Sequence, residues 1–320
     1  MKIAIIGAGA MGSLFGAYLK LAGHDITFID RGSWSVKAIN LNGLKIEGLR
    51  GDYLLRIPAA IDSRNIETPD LVLLMVKSFD TGRALAQHSH LFGPGTPVLT
   101  LQNGIGNIEE IEKVVERRNI IAGSTTMSAF VKAPGVVQHT GEGKTHIGVI
   151  EGDSSKAETV AAVFNAAGLR CAVQADIRLA IWTKLIYNSA INAFCALTRS
   201  RNGAIARIDE ARVFVREILE EGRRVAEACG INLDLEKLYG KLIEISENTA
   251  NNRNSMLADL LLGKQTEIDS INGAIARIAA EKGLDAPINR ILTALIKSAE
   301  KIPQDFRVRS EERRVGKECT

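Results

Sequence analysis

Lys184, Asn188 and Asn192 recur at every fourth position of the stretch Trp182–Asn192. On a helix that spacing lays one ammonium and two carboxamides along a single face, drifting by about 40° per step. Ile181, Leu185, Ala190, Ile191 and Ala193 make most of the remaining surface apolar, so the polar line is expected inside the protein. A buried amine and two buried amides are costly unless polar groups meet them. Other side chains can do so, and so can a small anionic substrate that carries a carbonyl group.

Two further segments carry groups of the same kind. Asn103, in Gln102-Asn103-Gly104-Ile105-Gly106, can donate to a bound ligand, although Asn-Gly is equally a turn dipeptide. Asn252-Arg253-Asn254-Ser255-Met256 is followed by Thr266-Glu267-Ile268-Asp269. Asn252 and Ser255 are neighbours if that stretch is helical. Glu267 is expected to open an apolar-periodic helix with Thr266 as its N-cap, a position where a glutamate commonly serves only the helix dipole.

A cofactor site is written at the N-terminus. Gly7-Ala8-Gly9-Ala10-Met11-Gly12 is a GxGxxG motif between an apolar β-rich run and a helical stretch. In that context the first glycine makes the tight turn, the second admits a pyrophosphate, and the third lets helix and strand pack closely. The N–H groups at the helix start then face the phosphates. Asp30 and Arg31 follow about 20 residues later, where a ribose is read. An acid there favours a free 2′-hydroxyl and an arginine a 2′-phosphate, so NAD and NADP both stay open. Lys77 follows the apolar run Leu71–Val76, at a strand end that could support the phosphate side.

The elements that position these groups change character along the chain. Lys2–Ile6 and Asp25–Ile29 read as strands around a helix at Met11–Ala22. Leu71–Lys77 and Pro97–Leu101 read as buried parallel strands, with helices near Thr81–His90 and Ile108–Glu116. Gly135–Gly152, with Val136, Val137, His139 and His146–Val149, suggests a β-hairpin or ribbon closing this α/β, doubly wound half. Helix-period stretches follow at Ile177–Leu197, Glu210–Ala228, Leu235–Asn248, Glu267–Glu281 and Pro287–Lys301. The division expected is 1–174 for the nucleotide-binding domain and 175–308 for an all-helical substrate domain.

Composition narrows the function classes. The chain has 320 residues, 46% hydrophobic and 24% charged, with a net charge of +3. That is ordinary for a soluble globular protein of two domains. No basic run interleaved with aromatics speaks for nucleic acid. No apolar run approaches the roughly 20 residues of a membrane span, and the N-terminal apolar run is too short for a signal-peptide core. Cys171, Cys195, Cys229 and Cys319 lack metal-ligand spacing, which suggests free thiols in a cytoplasmic protein without a metal site. An apolar helix face in the second half leaves a homodimer open. Arg309–Cys319 coincides with the translation of a widely used short-read sequencing adapter, and 309–320 is read as a non-native tail.

Taken together, GAGAMG, Arg31, Lys77, LQNGIG, HTGEGKTHIG, WTKLIYNSAIN, NNRNSML and TEIDSING resemble the ketopantoate reductase (2-dehydropantoate 2-reductase) family, up to about Lys301. The resemblance implies a Rossmann-type domain followed by a helical one. It also implies NADPH, rather than NADH, reducing 2-dehydropantoate to (R)-pantoate on the route to pantothenate and coenzyme A. By the same resemblance Lys184 is the catalytic acid and Glu267 the carboxylate beside the substrate hydroxyl, close to cofactor as well. Asn188, Asn192, Ser255 and Asn252 bind substrate, and Asn103 touches cofactor and substrate. Arg31 and Lys77 hold the adenosine phosphate end, and Gly7 to Gly12 the pyrophosphate. Two other readings of the residues are a reductase of another branched 2-keto acid on the same scaffold and a non-catalytic nucleotide-binding or sensing protein.

Overall fold

The computed structural model describes residues 1–302; the expected foreign tail lies outside the described residues. The chain forms two compact units, Met1–Leu185 and the part from Ile186 onward.

The first unit alternates strands and helices. In order they are β1 (Lys2–Ile6), α1 (Ala10–Leu21), β2 (Asp25–Ile29), α2 (Ser33–Asn42), β3 (Leu44–Gly48), β4 (Tyr53–Leu55), β5 (Ala59–Ala60), β6 (Leu71–Leu74), α3 (Thr81–Gln87), β7 (Val98–Thr100) and α4 (Asn107–Glu112). There follow β8 (Ile120–Thr125), β9 (Ser128–Ala133), β10 (Val136–Gly141), β11 (Thr145–Val149), α5 (Ser155–Ala166) and β12 (Cys171–Val173). Eight strands form one sheet in the order β12-β11-β8-β7-β6-β1-β2-β5, parallel throughout except for the β8–β11 pair. The fully buried run Leu71–Leu74 is typical of a parallel strand covered on both faces. From β1 the chain winds outward through β2 and β5, then crosses back to β6 on the other side. The carboxyl ends of β1 and β6 therefore meet at a topological switch point, where open α/β sheets bind their ligands.

The hairpin or ribbon expected across 135–152 does not pair β10 with β11. β10 lies between β3 and β9 in a second sheet, β4-β3-β10-β9, whereas β11 joins the large sheet beside β8. The connection is held between them: Arg50 grips Glu142 with Nε and Nη2 at 2.6 and 2.7 Å, and Thr126 N–H donates to the Lys144 carbonyl at 3.0 Å. Each strand thus finds a partner distant in sequence, and the local alternation carries no record of that partner.

The second unit is helical among its described residues. α6 (Arg178–Thr198) runs into it from the first unit, followed by α7 (Ala204–Arg207), α8 (Asp209–Ala228), α9 (Leu235–Asn248), α10 (Ser255–Leu261), α11 (Asn272–Glu281) and α12 (Pro287–Lys301). α9 opens on Asp234, whose carboxylate accepts from Lys237 N at 3.0 Å, and α12 on Pro287 at its first helical position. The helix expected from Glu267 begins only at Asn272; Ile268–Ser270 is a 3-10 turn. That segment is anchored from outside, by Glu300 accepting from Thr266 N at 2.8 Å and by Lys297 donating to both Asp269 oxygens at 2.9 Å. Tertiary anchors here override the helical period. No helix among the described residues is long and apolar enough to cross a membrane.

Candidate active site

Each glycine of the N-terminal motif has its own reason. Gly7 leaves β1 at φ 105°, its N–H bonded to the Ile29 carbonyl at 2.7 Å. A Cβ there would lie 2.7 Å from the backbone of Met75 and Val76 at the end of β6. At Gly12 a Cβ would stand 1.9 Å from the Gly7 carbonyl oxygen. Gly9 differs: nothing lies within 4 Å of where its Cβ would be. Internal packing does not require glycine at position 9, but a phosphate approaching the backbone would. α1 starts at the next residue with no side-chain cap and no acid in its first turn, so no side chain competes for its first N–H groups. The cradle fits a dinucleotide pyrophosphate.

Asp30 and Arg31 sit beside it at the end of β2 and face different tasks. Both Asp30 carboxylate oxygens accept from backbone, Oδ2 from Ala8 N at 2.8 Å and Oδ1 from Gly32 N at 2.7 Å. The acid fastens the glycine loop to the β2 end. Arg31 reaches the 3-10 turn Ser78–Asp80 behind β6 and makes a forked pair with Asp80, at 2.9 Å from Nη1 and 2.8 Å from Nη2. Arg83 donates to the same carboxylate. Burial pushes the Asp80 carboxyl above its ordinary value against the pull of Arg31, and the Asp30 charge adds to that rise. Lys77 precedes this turn in extended conformation, half-buried.

Asn103 follows β7 and is half-buried, its carbonyl accepting from Asn107 Nδ2 at 3.1 Å. Its neighbour Gln102, which the sequence reading passed over, does more of the positioning. Gln102 Nε2 donates to the Val76 carbonyl at 2.7 Å and to Thr81 Oγ1 at 2.8 Å, and its Oε1 accepts from Thr100 at 2.9 Å. It ties the β7 end to the β6 end that carries Lys77. A long polar side chain directly after a buried strand was the available signal.

On α6, Lys184 and Asn188 are half-buried and Asn192 is 5% exposed. The start of α10 is fastened to this helix by Asn254, whose Oδ1 accepts from Leu257 N at 2.9 Å and whose Nδ2 donates to the Ile191 carbonyl at 3.3 Å. Ser255 is therefore the first residue of a helix anchored on α6, and it is exposed. Asn252 is not its helical neighbour. It is an exposed residue ahead of α10, its N–H bonded to Thr249 O at 2.8 Å and its carbonyl accepting from Asn202 N at 3.2 Å. Asn254, not among the expected site residues, was legible as an N-cap before an apolar run. Glu267 is only 6% exposed, in the turn that leads to α11. Thr266 does cap locally, its Oγ1 accepting from Ile268 N at 3.2 Å. Asn272, where α11 starts, donates to the Ser189 carbonyl of α6 at 3.0 Å.

The first unit thus gathers the glycine loop, Arg31 and Lys77 at adjoining strand ends, with Asn103 one strand further. The second gathers Asn188, Asn192, Ser255 and Glu267 on α6 and the two segments docked to it. The first group has the chemistry to hold a dinucleotide, and the second offers neutral donors and a carboxylate suited to a small polar ligand.

Residues 3–152 match the family model described as ketopantoate reductase PanE/ApbA, and residues 176–300 its C-terminal counterpart. The 2-dehydropantoate 2-reductases of Pyrococcus abyssi and Pyrococcus horikoshii are 42% and 43% identical to this chain, each alignment covering 94% of it and 98% of the relative. A D-mandelate dehydrogenase solved with NADH and anilino(oxo)acetate superposes with a TM-score of 0.91 at 30% identity, covering 94% of this chain and 98% of that one.

Proposed function

The chain belongs to the ketopantoate reductase family, and we propose that it reduces 2-dehydropantoate to (R)-pantoate with NADPH, in the cytoplasm, on the route to pantothenate and coenzyme A. The observation that carries this reading is the ladder Lys184, Asn188 and Asn192 on one helix, in a chain that also holds a dinucleotide cradle.

The cofactor, when bound, supplies the hydride. As the carbonyl carbon accepts it, negative charge grows on oxygen, and the Lys184 ammonium stabilises that charge and delivers its proton. General-acid help of this kind is worth about 10² to 10⁴ in rate. Asn188, Asn192 and Ser255 offer neutral donors to the substrate carboxylate and hydroxyl, with Asn252 at the margin. Glu267 is a buried acceptor suited to the substrate hydroxyl. Asn103 orients cofactor and substrate. NADPH is the expected cofactor because both Asp30 oxygens are engaged by Ala8 and Gly32, while Arg31, paired with Asp80 at the adjoining strand end, and Lys77 bring positive charge to the side where a 2′-phosphate would lie.

The likeness to the D-mandelate dehydrogenase favours a second reading, NADH-linked reduction of another 2-keto acid. Oxidation of NADPH and NADH is therefore to be followed with ketopantoate, 2-ketoisovalerate, pyruvate and phenylglyoxylate. Ketopantoate with NADPH is expected to give the highest kcat/KM. No ketopantoate turnover at millimolar substrate would overturn the assignment.

A further inference from the structure

The core of the second unit contains a polar chain that has no part in the chemistry described so far. Glu221 of α8 is 4% exposed, and Asn272 and Asn289 are fully buried. Glu221 caps α12 from outside, Oε1 accepting from Ile288 N at 2.8 Å and Oε2 from Asn289 N at 3.0 Å. Oε2 also accepts from Asn289 Nδ2 at 2.8 Å, which fixes the orientation of that amide and turns its Oδ1 toward Asn272. Asn272 Nδ2 then donates twice, to Asn289 Oδ1 at 3.0 Å and to the Ser189 carbonyl of α6 at 3.0 Å. Donors run in one direction, from Asn272 through Asn289 to the carboxylate, and such chains strengthen one another away from water.

Asn272 closes the turn that carries Glu267. The amides of Ser270 and Ile271 both donate to the Glu267 carbonyl at 3.1 Å, and α11 begins at the next residue. At its other end the turn is held by Glu300 on Thr266 N. Ser189, the anchor on α6, directly follows Asn188. An Asn272 amide with its two hydrogens so committed sets where the Glu267 turn lies against the α6 segment of Asn188 and Asn192.

We infer that Asn272 is a positioning residue for Glu267, held in orientation by the Glu221–Asn289 pair. The inference rests on the reading of Glu267 as a catalytic group. It differs from a purely stabilising role in one respect: the effect of losing Asn272 on turnover passes through Glu267.

The test is a double-mutant cycle on kcat with Asn272→Ala and Glu267→Gln, joined to hydrogen exchange of the Ser270 and Ile271 amides. Asn272→Ala is expected to lower kcat about 10- to 100-fold, as small misplacements of a reacting group do, with NADPH affinity within about twofold. In the Glu267→Gln background the same change is expected to cost less than about twofold. Exchange at Ser270 and Ile271 is expected to speed up while α9 keeps wild-type rates. Losses that multiply in full, or unchanged exchange at the turn, overturn the inference. If Asn272→Ala does not fold, Asn272→Ser keeps one donor and is read against the same criteria. A wild-type chain that reduces no 2-keto acid removes the catalytic reading of Glu267 and with it the inferred route through that residue, while the exchange arm separately reports whether Asn272 holds the turn.

Discussion

Asp30→Asn separates two roles that an acid at the end of β2 can have. The carboxylate accepts two backbone N–H groups, at 2.8 Å from Ala8 and 2.7 Å from Gly32. An amide of the same shape keeps one acceptor oxygen and turns an NH2 toward the other donor. Hydrogen bonds to charged groups contribute about 1.5–3 kcal/mol each, so losing one and weakening the other costs about 2 kcal/mol. If all of it opposed cofactor binding, affinity would fall about 30-fold; part will instead lower the folding stability, so about 5- to 30-fold is expected. The loop that moves lies under the pyrophosphate, which NADPH and NADH share. Both should therefore weaken together. Direct titration of each cofactor into wild type, Asp30→Asn and Arg31→Ala reads this out. Arg31→Ala should do the opposite, weakening NADPH by about 10- to 100-fold through loss of charge-assisted bonds and leaving NADH nearly unchanged. If Asp30→Asn weakened NADH alone, Asp30 would be a ribose reader and the reasoning from its backbone contacts would be wrong.

Other outcomes follow from the same geometry. Lys184→Ala should reduce turnover about 10²- to 10⁴-fold with NADPH affinity retained; a collapse of NADPH affinity with turnover preserved would make it a cofactor residue. Gly9→Ala should fold with stability within about 0.5 kcal/mol of wild type yet bind NADPH about tenfold more weakly, because its methyl enters open space, whereas Gly12→Ala should misfold the loop by collision with the Gly7 carbonyl. Thermal unfolding and cofactor titration on the pair check both. His139 is buried between the Tyr18 hydroxyl, 2.8 Å from Nδ1, and the Gly141 carbonyl, 3.2 Å from Nε2, and burial lowers its pKa. A base whose folded pKa lies below its unfolded value of about 6.5 binds fewer protons when folded, so its contribution is intact above about pH 6.5 and declines as pH falls toward the lower folded value. Urea midpoints should drop from pH 7 to pH 5, and part of that slope should vanish in His139→Asn.

The parts of the fold that were legible in advance are those whose signal is local. β1, β2, α8, α9 and α12 lie within about a residue or two of where the hydrophobic period puts them. β10 and β11 were recognised as strands, but pairing is decided by partners far along the chain, and the alternation of Val136, Val137 and His139 reads the same beside β3 as beside β11. The start of α11 failed for a related reason. The apolar period of 267–281 continues through Ile268 and Ile271, while Glu300, Lys297 and Ser189 hold the backbone out of the helix until Asn272.

The candidate site divides along the same line. Four-residue spacing makes the ladder on α6 visible, because helix geometry alone converts spacing into a face. The glycine motif is visible because Gly7 and Gly12 answer backbone demands, and Gly9 keeps open the space a phosphate would need. Asp30 is different. Ahead of Arg31 it makes an acid-then-base pair that argues for both cofactors at once, and no composition rule chooses between them. The preference proposed above rests on the direction of one side chain, turned back onto Ala8 and Gly32. The same residue type at the same position can therefore read the ligand or fasten the loop beneath it. Sequence records the residue, and only the hydrogen bonds record the task; that is why the two cofactors, titrated against two neighbouring substitutions, are the sharpest probe of this site.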